Sequence, residues 1–257
     1  MEKQTRLNQS VEKTLQIIEA MAGAREPVRL GDLAREVGMP TSTTLRMVNT
    51  LVEHRYAYQD STTLRYALTL KFAQIGALVS ARFSIRDVAR PYLTELSRAC
   101  DESTCLAIEE DMEVIYLDVV DGPDGMLKIT QRIGKRAPMH STGVGKLLLT
   151  EYTPAGLRAL MEKKGLLRLT PHTRSTPEAL QAELDAVRAQ GYALDDEECE
   201  LGARCIAAPI RNYEGRIVAA ISVSGPVSRM THARIEALVP LVTGAARRIS
   251  AALACPE

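Results

Sequence analysis

The chain has 257 residues, 46% of them apolar, with 32 basic and 32 acidic side chains and so no net charge. That length suggests about two domains with a real hydrophobic core. No apolar run approaches the roughly 18 residues of a membrane span, the opening MEKQTRLNQS lacks the apolar stretch of a signal peptide, and five scattered cysteines without a CxxC motif exclude a disulfide framework or a zinc module. A cytoplasmic location with reduced thiols is expected. Aromatic residues are 4%, with no Trp and two Phe, so the core must rest on Leu, Ile, Val and Ala. Residues 1–82 carry 11 Lys and Arg against 8 Asp and Glu, a mild positive bias that allows a nucleic-acid partner.

Val11, Leu15, Ile18 and Met21 mark a first helix, capped by Asn8 or Ser10. Leu30, Leu33, Ala34 and Val37 repeat at helical spacing and end at Gly38, a residue suited to a left-handed stop. Pro40 can open the next helix, whose apolar face is Leu45, Val48, Leu51 and Val52. Its other face carries Ser42, Thr43, Arg46 and Thr50. Short hydroxyls around one guanidinium can reach base edges and phosphates, where an ordinary surface helix more often shows Glu and Lys pairs. Tyr56–Gln59 and Arg65–Leu68 read as a hairpin around the turn 60–63, with Arg65 placed for phosphate or the minor groove and Tyr66 and Leu68 facing the core. Together these segments have the order of a winged helix-turn-helix.

Leu70 to Val79 reads as a helix too apolar to stand without a partner. It is expected to link two domains and to pack against a second copy of itself. Ser84 caps a helix carrying Ile85, Val88, Tyr92, Leu93 and Leu96, with Pro91 expected to kink or restart it. Strands are expected at Thr104–Ile108, Val114–Val120, Leu127–Gln131, Ile206–Arg211 and Ile217–Val223. Helices are expected at Thr142–Leu149, Pro154–Met161, Thr176–Ala189 and from His232 to about Leu253. This order argues an α+β fold with a mostly antiparallel sheet.

Two constellations carry possible chemistry. HSTGVGK resembles a phosphate loop only superficially: His140 stands where that motif needs Gly, and Leu147 where it needs Ser or Thr. What remains is a small-residue turn whose amides at Gly143 and Val144 could meet a small anion; the two glycines could equally serve close packing of helix on sheet. Ser222 and Ser224 share one strand face, with Ile221 and Val223 on the other. Asp195 lies in the run Asp195–Glu198, a pattern usual for a solvated loop. No cofactor fingerprint is present, and none is expected.

Beyond these patterns, the chain resembles the IclR family of bacterial transcription regulators along nearly its whole length. The resemblance rests on PTSTTLRMVNTLVEH, RYALTLKFAQIG, ARPYLTELSRACDES, MHSTGVGKLLL, GYALDDEECELGARCIAAPI and AAISVSGP, in that order. It implies a winged helix-turn-helix in residues 1–69, a linker helix in 70–83 and a GAF-like effector domain in 84–257. It also implies a homodimer, or a dimer of dimers, on a palindromic double-stranded DNA operator. Gly143, Val144, Asp195, Cys205, Ser222 and Ser224 match ligand-binding positions, and Ile129 and Ala203 match pocket-lining ones. The physical fit is a small organic acid such as a 2-oxo acid. Ionised Asp195 only accepts hydrogen bonds and would meet a ligand hydroxyl or amine. Most relatives carry Gly where Arg55 stands and a Gly near Leu64; a left-handed Arg55 would be strained, so the helix exit and wing tip are expected to differ in geometry. Two other function classes remain to be weighed. A cysteine enzyme using Cys205 would need a base from His54, His140, His172 or His232, none close in sequence. An oligomeric scaffold would leave the Ser42/Arg46 face without a purpose.

Overall fold

The computed structural model describes residues 7–80, 84–122 and 131–253, and the chain divides into two compact units, Met1–Phe83 and Ser84–Glu257. The first unit holds α1 (Gln9–Gly23), α2 (Leu30–Glu36), α3 (Thr41–Glu53), the antiparallel strands β1 (Ala57–Gln59) and β2 (Tyr66–Leu68), and α4 (Lys71–Ser80). Its core gathers Ile17, Met21, Leu33, Val48, Leu51 and Tyr66. The Asn8 side chain accepts amides from Ser10 and Val11 and so caps α1. Gly38 takes φ 61°, which ends α2, and Pro40 is the residue just before α3 rather than its first turn. Val28 and Tyr66 exchange both backbone hydrogen bonds at 2.8 Å, so the α1–α2 loop joins the hairpin as a third segment, paired with β2.

The apolar stripe of α1 divides its work differently from its spacing. Ile17 and Met21 enter the core, while Val11 and Leu15 are more than half exposed. Helix α4 starts against the hairpin: the Tyr56 and Phe72 rings lie 5.1 Å apart, and the Lys71 ammonium donates to the His54 carbonyl at 2.8 Å while sitting 4.2 Å from the Tyr56 ring centre. Leu70, Leu78 and Val79 remain exposed within this chain.

The second unit is a six-stranded antiparallel sheet in the order β5-β4-β3-β8-β7-β6. Its strands are β3 (Ser103–Glu110), β4 (Glu113–Val120), β5 (Arg136–Ala137), β6 (Ala193–Asp196), β7 (Ala203–Arg211) and β8 (Ile217–Pro226). Leu106, Ile206, Ile221 and Val223 face one side, covered by α5 (Ile85–Cys100) and α9 (His232–Ala252). Cys105, Ala107, Tyr116, Ala207 and Ala220 face the other, covered by α6 (Gly143–Leu149), α7 (Pro154–Lys164) and α8 (Pro177–Gln190). The fold is α+β, as the order of elements implies.

Three details depart from the sequence pattern. Pro91 does not restart its helix: α5 runs unbroken, because Ala89, Leu93, Leu96 and Cys100 repeat along one buried face and hold it on the sheet. The strands β5 and β6 were not legible, being two and four residues long. The strand expected at Leu127–Gln131 lies largely outside the described residues, as does Ile129.

Arg55 and Leu64 adopt φ 61° and 56°, so the helix exit and the wing turn keep a left-handed geometry without glycine. For an L-residue that conformation costs about 1–2 kcal/mol, partly offset by the greater unfolded-state entropy of glycine. Arg55→Gly and Leu64→Gly are each expected to raise the unfolding free energy by about 0.5–1 kcal/mol. Thermal and urea denaturation of the purified variants check this; an unchanged or lowered midpoint for both would refute the strain.

Candidate functional site

Two separate sets of residues come together, one in each unit. On α3, Ser42, Arg46 and Thr50 are exposed and lie one above the other at four-residue spacing, with Thr43 half-buried beside them. Thr44, one position on, points the other way: it is fully buried and its hydroxyl donates to the Pro40 carbonyl at 3.2 Å. The Arg46 side chain is exposed and has no hydrogen bond or ion pair with another described residue, so its guanidinium is open to an outside partner. Thr50 donates its hydroxyl to the Arg46 carbonyl at 2.9 Å and is left as an acceptor. Asn49 is exposed on the same side and was not singled out from sequence, although an amide three residues after the arginine is a base-reading group. Arg65 is turned back toward the α1–α2 loop, 3.4 Å from the Pro27 carbonyl and 3.9 Å from the Glu26 carboxylate. The wing tip is set by Asp60, whose Oδ1 accepts from the Thr62 and Thr63 amides and the Thr63 hydroxyl.

In the second unit a cavity of about 160 Å³ opens between the sheet and α6. Strand pairing builds its floor: Asp195 lies opposite Cys205, Cys205 opposite Ser224, and Ser222 opposite Cys105. Because β6, β7 and β8 alternate in phase, Asp195, Cys205, Ser222 and Ser224 all point into this one space, and all are buried. The two serine hydroxyls are 3.4 Å apart, and Ser222 Oγ is 3.0 Å from Cys105 Sγ. Val144 and Ala203 also line the cavity, whereas Gly143 does not. Its amide donates to the Cys205 sulfur, and a Cβ there would stand 3.1 Å from that atom. Gly143 therefore serves close packing, the alternative its motif left open.

Residues 77–251 match the family domain described as bacterial transcriptional regulator IclR C-terminal, and residues 10–61 match the IclR helix-turn-helix domain. The HTH-type transcriptional regulator XynR of Escherichia coli K12 is 36% identical over 248 residues, covering 96% of this chain and 98% of that protein. The chain belongs to the IclR family. The transcriptional repressor IclR of the same organism is 31% identical, over 95% of this chain and 89% of its own length. The crystal structure of Thermotoga maritima IclR superposes with a TM-score of 0.63 at 28% identity, covering 96% of this chain and 99% of that one. This protein is accordingly a DNA-binding transcriptional regulator with an N-terminal helix-turn-helix and a C-terminal effector domain.

The charge pattern of this IclR-family cavity comes from burial. The thiols stay protonated: burial pushes Cys105 up to about 12, Cys199 to about 11, and Cys205 well above its ordinary range. Asp195 is buried too, and its carboxyl rises to about 7, although its Oδ1 accepts the Glu198 and Cys199 amides at 2.9 and 3.2 Å. Sequence reasoning missed the Tyr116 ring and the β6–β7 loop residue Cys199, both in the wall. It also missed Lys146, wholly buried, whose ammonium donates to Glu183 and Glu198 at 2.6 Å each. A lysine seldom lies wholly inside a protein, so the sequence carried no signal for it.

A carboxyl raised on folding binds its proton more tightly in the native state than in the unfolded chain. Its contribution to stability is therefore largest below about pH 4 and falls as pH rises to about 7, beyond which it is level. Over that window the loss is on the order of 4 kcal/mol. Asp195→Asn keeps the acceptor for the two amides and has no charge to bury, so its stability relative to the parent should climb between pH 4 and pH 7. Parallel denaturant titrations across this range measure the difference; two curves that stay parallel would remove Asp195 as a desolvated acid.

Proposed function

We propose that this regulator is a cytoplasmic, non-enzymatic repressor that binds a palindromic operator as a homodimer or dimer of dimers and responds to a small organic acid held in the Asp195 cavity. In this reading residues 1–69 bind DNA, 70–83 form the linker and 84–257 bind effector. Ser42, Thr43, Arg46 and Thr50 enter the major groove, with Arg65 near the backbone. The observation that carries the reading is the cavity itself. Two hydroxyls, a carboxyl and a polarisable thiol converge in a space whose size suits about six heavy atoms, since a cavity of about 150 Å³ accepts benzene. A ligand that small gains at best about 1.5 kcal/mol per heavy atom, a ceiling of about 9 kcal/mol that keeps its dissociation constant no tighter than roughly 0.3 μM.

The remaining parts have their own support. Exposed Val11 and Leu15 on α1, Leu70 just before α4, and Leu78 and Val79 on it are the apolar surface a second copy would cover. A two-fold dimer calls for a two-fold site on DNA. Repression is favoured by relatives named as repressors. Enzymatic use of Cys205 is disfavoured by its protonated, buried thiol and by His140, which is held at the Leu167 carbonyl, 3.0 Å away.

Two substitutions test the two halves independently. Arg46→Ala should lose about 1–3 kcal/mol of operator affinity and relax discrimination at the base it reads, measured by gel shift and footprinting on the DNA flanking its own gene. Unchanged affinity and footprint would mean that α3 is oriented otherwise. Ser222→Ala combined with Ser224→Ala should leave operator affinity intact and abolish the response to effector. A retained response takes the serines out of the site.

A further inference from the structure

Asp195 is the one acid in the cavity floor, and among the described residues no cation pairs directly with it. Its Oδ1 is occupied by the Glu198 and Cys199 amides. Around it stand the Cys199 thiol and the Glu198 carboxyl from the β6–β7 loop, the Cys205 thiol from β7, the Tyr116 phenol from β4, the Ser222 and Ser224 hydroxyls from β8, and Lys146 from α6. The Lys146 ammonium is committed to Glu183 and Glu198. Arg204, on the neighbouring strand, turns to Asp196 and the Met230 carbonyl, both at 2.6 Å. At the mouth, Arg136 is held by Glu110 and Glu113, and Lys135 and Glu200 lie at the rim, with Lys135 exposed to water.

We propose that the cavity takes up its organic acid together with one proton from solvent, that the proton resides on Asp195, and that effector affinity therefore falls as pH rises through neutrality. The proposal rests on the reading of this cavity as a carboxylate site and goes beyond it by naming the ionisation state that binds. Two carboxylates enclosed in about 160 Å³ cannot both stay charged without a cation between them. Protonation removes the repulsion and turns Asp195 from an acceptor into a donor, adding a third hydroxyl to those of Ser222 and Ser224. Burial has already brought its carboxyl to about 7 in the empty cavity, so the proton is at hand at neutral pH. The thiols and the phenol titrate above that range. An acid metabolite and the acidification that accompanies its accumulation would then act on this regulator in the same direction.

The test is calorimetric titration of the full-length protein with pyruvate, lactate and glycolate, all ionised above pH 6, from pH 6 to 8.5. The expected result is a dissociation constant nearly level below pH 6.5 that rises about tenfold per pH unit above pH 7.5. At pH 8, runs in Tris and in HEPES, which differ in ionisation heat, should report uptake approaching one proton per ligand. Asp195→Asn should abolish both the slope and the proton uptake; a slope that persists in that variant assigns the proton to another group, Glu198 first, and overturns the proposal. If the variant does not fold, the two-buffer measurement on the parent protein decides alone. Binding with no slope and no buffer dependence overturns the proposal while leaving the carboxylate site standing. If none of the three acids binds at any pH, the reading of the cavity fails, and the proposal with it.

Discussion

The effector unit is organised around one buried charge. The Lys146 ammonium has no exposure to water and joins three segments far apart in sequence: α6, which carries it, α8 through Glu183, and the β6–β7 loop through Glu198. Such a group is tolerated only with good partners, and removing one partner of a buried pair typically costs about 3–5 kcal/mol. Its placement depends on Gly145, one residue before it. A Cβ there would collide with the Met139 backbone and the Thr142 hydroxyl, so only glycine lets α6 lie tight under the preceding turn. The Thr142 hydroxyl in turn caps α6 by accepting the Gly145 amide at 3.2 Å. Because Glu198 is fixed by Lys146, its backbone amide and that of Cys199 are fixed as well, and these are the two donors that orient Asp195. The lysine reaches the cavity without lining it.

This explains which parts of the site could be read from sequence. Ser222, Ser224 and Cys205 sit on long strands with regular alternation, so their common face followed from period two and the family motif. Asp195 is different. The Ala193–Asp196 segment has no apolar alternation, and its acidic run reads as solvated loop. Only the pairing with β7 shows that Asp195 and Asp196 part company, the first turned into the cavity and the second outward to Arg204. Lys146 and Tyr116 were invisible for a related reason: both are polar residues whose burial is decided by segments distant in the chain. In the first unit the order of helices, the Gly38 stop and the strain a left-handed Arg55 carries were legible because they are local. The inward turn of Arg65 toward Pro27 was not, because it depends on the α1–α2 loop joining the hairpin.

The cavity and α5 lie on opposite faces of the sheet, and β4 serves both. Its register shifts between Tyr116 and Asp118, leaving Leu117 as an extra residue. Before the bulge, Val114 and Tyr116 face the cavity side. After it, Asp118 faces α5, where Arg90 and Arg86 approach its Oδ1 at 2.6 and 3.5 Å. Asp118 is fully buried, and its Oδ2 has no partner among the described residues, so this contact has little slack. Helix α5 begins at Ile85, directly after the boundary between the two units. A single short stretch of β4 thus borders the cavity on one side and grips the first turns of α5 on the other.

The size of the cavity limits what such an arrangement can transmit. A ligand shifts a conformational equilibrium only by the difference between its affinities for the two states, and coupling between sites typically amounts to about 1–3 kcal/mol. A ligand of about six heavy atoms binds with at most about 9 kcal/mol, so coupling of that size already takes a large fraction of its binding energy. One subunit alone would alter operator affinity about 5- to 150-fold. In the dimer proposed, both cavities act on one operator and the contributions add in free energy, so modest coupling at each site becomes a steep combined response. In the function proposed, weak binding by a small acid and assembly on a two-fold DNA site are therefore complementary requirements, the second supplying the range that the first cannot.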